Sequence, residues 1–454
     1  MGFPVGKSIA VILLASISYQ IYKVSLPPSM PQINLIYKKG QSETKKIEPF
    51  KINIPTQVIE DLNERLDKSR ELTPPLHDSA FTYGFNSNKL KSVIHFWRNK
   101  YNWRQREKYL NSLPQFKTNI GSVEIHFIHA KPSSQTKLKT VPLILLHGWP
   151  GSVREFYELI PLLTTPQKDR DFVFEVIAPS LPGYGFSGKP TEKGYNTVIF
   201  AAMMNDLMVK LGFQKYYVQG GDWGAAIAAN MAILYPERVL GLHSNMCFVN
   251  SPLEKLKKMV ASIYPSLFIE EKFISKVYPA KEHFFELMLE SGYFHLQATK
   301  PDTIGTALTD SPAGLAAYIL EKFSTWTNKK YRDFPDGKLE EKFTLTNLLD
   351  NVMIYWVTGT ITSSMRLYSE AFALNSTSHD LDRQPVVVPT ICARFPHEVI
   401  FQPEFILRER YVNLTRVTDP PRGGHFAAFE EPQLMAEEIF SGFGEIQRRY
   451  YSKQ

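Results

Sequence analysis

The chain is poor in cysteine: Cys247 and Cys392 are the only two among its 454 residues. Two cysteines far apart in the sequence provide neither a disulfide framework nor the spacing of a zinc site. We therefore expect free, buried thiols and a reducing compartment. The 25 glycines and 31 prolines are too few and too scattered for a collagenous or low-complexity chain.

The chain also lacks a strong excess of either charge. Its 52 basic and 45 acidic residues give a net charge of +7, and the basic residues are scattered rather than clustered. Without a basic stripe or a known binding module, we expect no nucleic-acid partner. Hydrophobic residues make up 43% and charged residues 21% of the chain, which indicates a globular protein with a sizeable core.

The N-terminus carries an apolar run. The stretch from Ser8 to Tyr22 has no charged residue and lies between Lys7 and Lys23. With the apolar residues before Lys7 it is long enough, as a helix, to cross a hydrocarbon core of about 30 Å. We predict that residues 1–23 are a retained membrane anchor. A cleaved signal peptide is the alternative, because Ser16-Ile17-Ser18 resembles a cleavage site.

The rest of the chain predicts an interrupted α/β protein. Apolar strands alternate with helical patterns from residue 141, which is typical of a mostly parallel, doubly wound sheet. Residues 48–115 have helical spacing, and Gly121 separates two short strands. The predicted core strands are Val141–Leu146, Phe172–Ala178, Tyr216–Gln219, Val239–His243, Val386–Ala393 and one near Asn413–Thr418, and the predicted helices are 152–163, 196–212, 223–235, 351–372 and 432–449. The resulting segments are an anchor (1–23), an N-terminal helical region (24–140), a first core half (141–245), a helical lid (246–345) and a second core half (346–454).

A candidate nucleophile lies between a strand and a helix. The predicted strand Tyr216–Gln219 runs into Gly220-Gly221-Asp222-Trp223-Gly224, which has the form of a nucleophile elbow with Asp in place of Ser. A sharp turn of this kind has room only for small neighbours. The position at a helix N-terminus stabilises an ionised carboxylate, although Asp222 could also be a simple helix N-cap.

Two further motifs complete a catalytic set. The backbone N–H of Trp149, in His147-Gly148-Trp149-Pro150, could hold an oxyanion together with the N–H of Trp223. Small residues in Gly423-Gly424-His425 would let His425 reach over the sheet edge. The carboxylate expected to orient this histidine is Glu398, with Glu404 as the alternative.

Two other patterns resemble ligand sites but predict none. Gly183–Gly188 matches a dinucleotide-binding fingerprint, yet prolines flank it and no helix opens within it, so we exclude a nicotinamide cofactor. His126 and His129 lie on a predicted strand, where positions i and i+3 point to opposite faces and cannot share a metal.

The motifs resemble the microsomal epoxide hydrolase family of the α/β-hydrolase fold, and within it the insect juvenile hormone epoxide hydrolases. The resemblance extends over nearly the whole chain and rests on HGWPGSVREFYELIPLL, APSLPGYGFS, GGDWGAAIAANMAILYPE and GGHFAAFEEP. Tyr293, before Phe294-His295-Leu296, and Tyr368, in Met365-Arg366-Leu367-Tyr368, match the two ring-opening tyrosines of that family.

The resemblance implies an epoxide hydrolase on the endoplasmic reticulum membrane, with its body in the cytosol. Its substrate would be a lipophilic epoxide, such as juvenile hormone or a xenobiotic, and its product a vicinal diol. Asp222 would form an ester that water, activated by His425, then hydrolyses, and Tyr293 and Tyr368 would donate protons to the ring oxygen. No metal or organic cofactor is needed.

Two alternatives remain at this point. A haloalkane dehalogenase would use the same Asp, His and acid, with the Trp223 indole on the halide. A catalytically silent, membrane-anchored binding protein would keep the pocket but would not need to keep all three catalytic positions filled.

Overall fold

The computed structural model describes residues 16, 18–20, 22, 23, 26–33, 35–38 and 46–451. Most of the predicted anchor, residues 1–23, therefore lies outside the described residues. Among the described residues, no helix combines the length and the apolar character that crossing a bilayer requires.

One mostly parallel sheet organises the described chain. Its spatial order is β1-β2-β3-β5-β4-β6-β7-β8-β9. The strands are β1 (Glu48–Phe50), β2 (Gln115–Ile120), β3 (Val123–Ala130), β4 (Lys139–Leu146), β5 (Phe172–Pro179), β6 (Tyr216–Gly220), β7 (Val239–Ser244), β8 (Thr390–Ala393) and β9 (Leu414–Thr418). In spatial order, each strand from β5 through β4, β6, β7 and β8 to β9 pairs in parallel with the next. The pairs β1–β2, β2–β3 and β3–β5 are antiparallel. This confirms the predicted α/β-hydrolase sheet.

The central strands are apolar because helices cover both faces. The side chains of Leu143–Leu146 in β4 have no exposed surface, as expected for a strand buried on two sides. The helices of the N-terminal region are α1 (Thr56–Asp67), α2 (Ser87–Asn99) and α3 (Trp103–Leu110). The helices that follow core strands β4, β5 and β6 are α4 (Leu159–Thr164), α5 (Thr197–Lys210) and α6 (Trp223–Leu234).

A helical insertion separates β7 from β8. Its helices are α7 (Pro252–Ala261), α8 (Glu271–Ile274), α9 (Ala280–Glu290), α10 (Gly292–Thr299), α11 (Pro301–Asp310), α12 (Pro312–Thr325), α13 (Leu345–Thr358), α14 (Ile361–Ala371) and α15 (Ser378–Leu381). After β8 come α16 (Glu404–Arg410), α17 (Ala427–Glu430) and α18 (Pro432–Ile446). The single helix predicted over 351–372 is wrong, because Gly359 adopts a left-handed conformation (φ +60°) that ends α13.

Helix α13 fixes the loop that follows β4. Asn351 donates to the Pro150 carbonyl at 2.7 Å, and the Tyr355 hydroxyl donates to the Gly151 carbonyl at 2.7 Å. Asp350 of the same helix accepts from the fully buried Arg154 at 3.0 Å. A charged hydrogen bond at a dry position has one favourable geometry, so this contact sets the position of the loop against the helix.

The expectation of free thiols is wrong. Cys247 and Cys392 form a disulfide, with their Cα atoms 5.7 Å apart and a sequence separation of 145 residues. Strands β7 and β8 are neighbours, with Ser244 opposite Cys392, and this pairing brings the two cysteines together. The bond therefore joins the two ends of the helical insertion.

Candidate active site

The turn between β6 and α6 has space only for small residues. A Cβ on Gly220 would lie 2.2 Å from the Gly224 carbonyl oxygen, and a Cβ on Gly224 would lie 2.0 Å from that of Leu146. Between them Asp222 adopts φ +50° and ψ −130°, which non-glycine residues rarely do. The predicted steric reason for the small residues at this elbow is confirmed.

The Asp222 carboxylate does not cap its helix. Its side chain makes no capping hydrogen bond to α6. Instead Oδ1 accepts the backbone N–H of Trp149 at 2.8 Å. A Cβ at Gly148 would lie 2.0 Å from the same oxygen, so the close approach of the loop after β4 depends on glycine there.

His425 connects Asp222 to a second carboxylate. Its Nε2 lies 3.3 Å from Asp222 Oδ2, and its Nδ1 lies 2.7 Å from Glu398 Oε1. The side chains of His425 and Glu398 are only 2% and 4% exposed, so water does not compete for these contacts. The three side chains of Asp222, His425 and Glu398 therefore lie within hydrogen-bond reach in that order, an arrangement that can supply a nucleophile, a base and an orienting acid.

The two carboxylates determine the charge of the histidine. Burial alone would lower the pKa of His425, but the negative charges and hydrogen bonds of Glu398 and Asp222 outweigh it and hold this pKa well above its ordinary value. The two carboxylates therefore favour the imidazolium form of His425.

The structure separates the two candidate acids. Glu398 follows β8 in a loop whose neighbour His397 forms a bridge with Gly424, next to His425. Glu404 begins helix α16 and forms an exposed ion pair with Arg408 at 2.6 Å. Only Glu398 of these two contacts the histidine.

Glu430 was missed by the sequence reasoning. Its carboxyl oxygens accept the backbone N–H groups of Gly424 at 2.8 Å and Phe426 at 2.9 Å, on either side of His425. Burial raises the pKa of Glu430 to about 8, against the lowering effect of these two donors. The motif GGHFAAFEEP contains this residue, but no local spacing rule predicts that its side chain folds back on the histidine loop.

Two tyrosines from the insertion meet next to the Trp149 loop. Tyr293 of α10 stacks on Trp149 with ring centroids 5.3 Å apart, and Tyr368 of α14 meets the Trp149 ring at 6.0 Å. The two phenol rings lie 6.0 Å from each other. Burial, and secondarily nearby charge including that of Asp222, raises the pKa of both phenols well above 10. Both hydroxyls are therefore proton donors at neutral pH.

His147 has a structural contact in this loop. Leu181 donates its N–H to Nε2 at 3.2 Å, and Nδ1 lies 3.0 Å from the Gly148 carbonyl. Burial lowers the pKa of His147 to about 4, so it is neutral. A neutral imidazole can bridge a donor and an acceptor in this way, which ties the Trp149 loop to the loop after β5.

The structure accounts for the two patterns that resembled ligand sites, the glycine-rich stretch Gly183–Gly188 and the pair His126 and His129. Gly183–Gly188 forms turns after β5, and α5 begins only at Thr197. His126 contacts Ser180 and Gln115, each at 2.9 Å, whereas His129 contacts Glu175 at 2.7 Å. Within the described ranges, no three His, Cys, Asp or Glu side chains are placed to hold a metal ion.

The chain matches two family models. The epoxide hydrolase N terminus matches residues 47–156, and the alpha/beta hydrolase fold matches residues 141–380. The second model alone spans more than half of the chain. The two matches overlap at β4 and the Trp149 loop.

Curated relatives and a solved structure agree with these models. Juvenile hormone epoxide hydrolase 2 of Ctenocephalides felis is 52% identical over 95% of this chain and 93% of its own length. Epoxide hydrolase 1 of Oryctolagus cuniculus is 49% identical over 90% of each chain. The crystal structure of juvenile hormone epoxide hydrolase from Bombyx mori has a TM-score of 0.89 and 45% identity, covering 92% of this chain and 99% of that one.

Since the relatives share about half of their residues with nearly the whole chain and the fold is the same, the chain belongs to the epoxide hydrolase family of the α/β-hydrolase fold, and it is an enzyme that hydrolyses epoxides.

Proposed function

We propose that this epoxide hydrolase opens lipophilic epoxides in two steps, through a covalent ester on Asp222. The observation that carries the proposal is the continuous contact from Glu398 through His425 to Asp222, with the Trp149 N–H on the other carboxylate oxygen. A simple acid–base site would need no N–H donor held against the carboxylate.

In the first step, one oxygen of Asp222 attacks an epoxide carbon. The carbon–oxygen bond of the ring breaks, and the ring oxygen leaves as a developing alkoxide, which is a poor leaving group. Tyr293 and Tyr368 donate hydrogen bonds to it, and one of them transfers a proton. The tyrosinate left behind is reprotonated by the proton that His425 releases once the ester has formed. We assign the attack to Oδ2, because Oδ1 is already occupied by the Trp149 N–H.

In the second step, His425 takes a proton from water, and the water oxygen attacks the ester carbonyl. Oδ1 becomes the oxyanion, held by the N–H groups of Trp149 and Trp223. The ester bond then breaks, and the diol oxygen takes the proton from His425. The carboxylic acid left on Asp222 passes its remaining proton to the His425 imidazole, 3.3 Å away, which restores the Asp222 carboxylate.

The first step prepares the histidine for the second. In the free enzyme the charge of Asp222 helps to keep His425 protonated. Esterification removes that charge, so the pKa of His425 falls and the imidazole becomes a base when a base is required. Glu398 remains to orient the ring and to stabilise the imidazolium that forms.

The substrate class follows from the walls of the site and from the relatives. Two more aromatic rings lie beside Trp149, Tyr293 and Tyr368. The ring centroid of Phe294 is 5.5 Å from that of Tyr368, and the ring centroid of Trp223 is 4.7 Å from that of Tyr368. Such walls bind an apolar chain and offer few polar contacts. Since relatives of about half identity are named juvenile hormone epoxide hydrolases, we assign a terpenoid epoxide as the substrate, with xenobiotic epoxides as a second group.

The covalent step can be tested by trapping the ester. With a terpenoid epoxide, His425→Gln should accumulate an adduct on the peptide that contains Asp222, because only the second step needs the base. Asp222→Ala should form neither adduct nor diol. Intact-protein and peptide mass spectrometry measure both results.

Two comparisons make the trapping assay decisive. An adduct on another residue, or diol production by Asp222→Ala, would contradict the assignment of the nucleophile. A small water-soluble epoxide in the same assay ranks the substrate classes, and a halogenated alkane tests for dehalogenase chemistry through halide release.

The tyrosines should act in the first step only. Tyr293→Phe and Tyr368→Phe remove a donor to the developing alkoxide, so each should slow ester formation on the order of 10²-fold, by analogy with other oxyanion donors. Ester hydrolysis should change little. Single-turnover quenched-flow kinetics separate the two rates, and ester formation at the wild-type rate in both variants would remove these tyrosines from the mechanism.

Glu398→Gln should slow ester hydrolysis more than ester formation. It also removes a charge that raises the pKa of His425, so the acidic limb of the pH profile for ester hydrolysis should move to lower pH. The matched control is Glu404→Gln, whose carboxylate binds Arg408 at the surface. If Glu404→Gln is the more damaging of the two, Glu398 is not the orienting acid.

We propose further that residues 1–23 hold the enzyme on the endoplasmic reticulum membrane, with the catalytic body in the cytosol. Lysines are more frequent after the apolar run than before it, which favours this orientation. The low cysteine count does not support a cytosolic body, because the Cys247–Cys392 disulfide is typical of an oxidising compartment and favours a lumenal body. A bilayer would also concentrate a lipophilic substrate.

An internal glycosylation sequence reports the orientation. Asn375 is exposed, and Asn375-Ser376-Thr377 would be an acceptor in the lumen. Endoglycosidase treatment of the protein from native membranes should leave its mobility unchanged. A shift that disappears in Asn375→Gln would place the body in the lumen. Asn413 is a poorer reporter, since its amide oxygen already accepts from Tyr450 at 2.8 Å.

A further inference from the structure

The hydrolytic step needs a water molecule placed beside Asp222 and His425. A small cavity of about 20 Å³ is lined by both residues. A cavity of roughly 10–15 Å³ is enough for one water molecule, provided that two to four polar groups face it. The cavity thus has the volume for a single water beside Asp222 and His425.

Polar groups outside the catalytic set line this cavity. Gln219, at the end of β6, is 1% exposed, and its Nε2 donates to Asn245 Oδ1 at 2.9 Å. Its Oε1 has no hydrogen-bond partner in the described part of the chain. Leaving a buried amide oxygen without a partner is unfavourable, which indicates that a donor such as water belongs next to it.

Glu155 is the second polar group, and the mechanism above does not use it. It lies in the 3₁₀ turn Val153–Phe156 and lines the cavity together with Asp222 and His425. A Cβ on Gly151 would lie only 1.6 Å from Glu155 Oε1, so the carboxyl occupies the space that a side chain at 151 would fill. Glycine at this position therefore lets Glu155 reach the cavity.

The electrostatic surroundings keep this carboxyl neutral. Burial raises the pKa of Glu155 to about 8, and the charge of Asp222 acts in the same direction, against the charge of His425 and the Ser152 backbone hydrogen bond. A protonated carboxyl has one O–H donor and one carbonyl acceptor. It can therefore bind water without adding a third negative charge beside Asp222 and Glu398.

We propose that Glu155 is a further catalytic residue, which binds the attacking water together with the Gln219 amide oxygen. The water gives one proton to His425 while its other hydrogen is held by an acceptor oxygen of Glu155 or Gln219. Its oxygen then attacks the ester carbonyl of Asp222. No proton leaves Glu155, so the proton and electron balance of the hydrolytic step is unchanged.

The inference rests on the proposed ester and predicts a defect confined to its hydrolysis. Glu155→Leu should form the ester at about the wild-type rate and hydrolyse it on the order of 10²-fold more slowly, the usual cost of a misplaced reactant. Glu155→Gln, which keeps an acceptor and a donor, should recover most of this loss. Single-turnover kinetics with mass spectrometry of the Asp222 peptide measure both steps.

Matched variants separate this role from a general effect on folding. Glu158 is three residues further on and binds Arg154 at 2.7 Å, so Glu158→Gln should not change the ratio of the two rates. Gly151→Ala should displace the Glu155 carboxyl and reproduce the hydrolytic defect. If Glu155→Leu does not fold, Gly151→Ala serves as the test variant. A crystal structure of the unaltered enzyme is the second test, and it should show a water within about 3 Å of Glu155.

The outcomes distinguish the two proposals. Ester hydrolysis at the wild-type rate in Glu155→Leu or Gly151→Ala, or equal slowing of both steps, would overturn the role of Glu155. A crystal structure without a water at this carboxyl would do the same. Absence of any ester in His425→Gln would instead overturn the covalent mechanism itself.

Discussion

The Asp222 carboxylate is held between groups from distant parts of the chain, and the rest of the site depends on this contact. One oxygen accepts the Trp149 N–H from the loop after β4, and the other lies 3.3 Å from His425, which follows β9. The approach of the loop after β4 requires backbone at van der Waals distance, so Gly148 and Gly224 have no room for a Cβ. The strained φ of Asp222 aims its side chain away from its own helix and into this gap. The parallel sheet matters because it brings the ends of β4, β6, β8 and β9 to one edge.

Four carboxyl groups surround one histidine, and burial raises the pKa of two of them, Glu155 and Glu430. The pKa of Glu155 and of Glu430 is raised to about 8, chiefly by burial, so both are largely protonated at neutral pH. Glu398 and Asp222 instead contact His425 directly and raise its pKa. The arrangement keeps the buried charge low and makes the protonation of His425 depend on whether Asp222 is free or esterified. A site with all four carboxyls ionised around one imidazolium would be strongly destabilised by repulsion between buried charges.

Local pattern predicts most of the sheet, the elbow and the histidine loop, because each depends on residues adjacent in sequence. Val141–Leu146 is a buried run, and the glycines around Asp222 and His425 indicate tight turns. Contacts between distant segments are not predictable in this way. Cys247 and Cys392 meet only because β7 and β8 are neighbours, and Tyr293 and Tyr368 could be chosen from 22 tyrosines only by family resemblance. In the sequence, Glu155 and Glu430 cannot be told from ordinary polar residues of short helices. The backbone groups that Glu430 binds and the cavity that Glu155 lines come together only in the folded chain.

The core and the insertion supply different halves of the chemistry. In the proposed mechanism Asp222, His425, Glu398 and the Trp149 N–H form and hydrolyse an ester, and none of these groups depends on which alkyl group the ester carries. Discrimination for an epoxide must come from donors to the ring oxygen, and the two phenols that can serve are both on the insertion, in α10 and α14. The stacking of Tyr293 on Trp149, with planes 7° apart, is one of several aromatic contacts that join the two parts. A change in the insertion that tilts the Tyr293 ring would therefore move a proton donor relative to Asp222 and leave His425 and Glu398 in place. The reaction specificity of this fold can thus change while the residues proposed for ester hydrolysis stay the same.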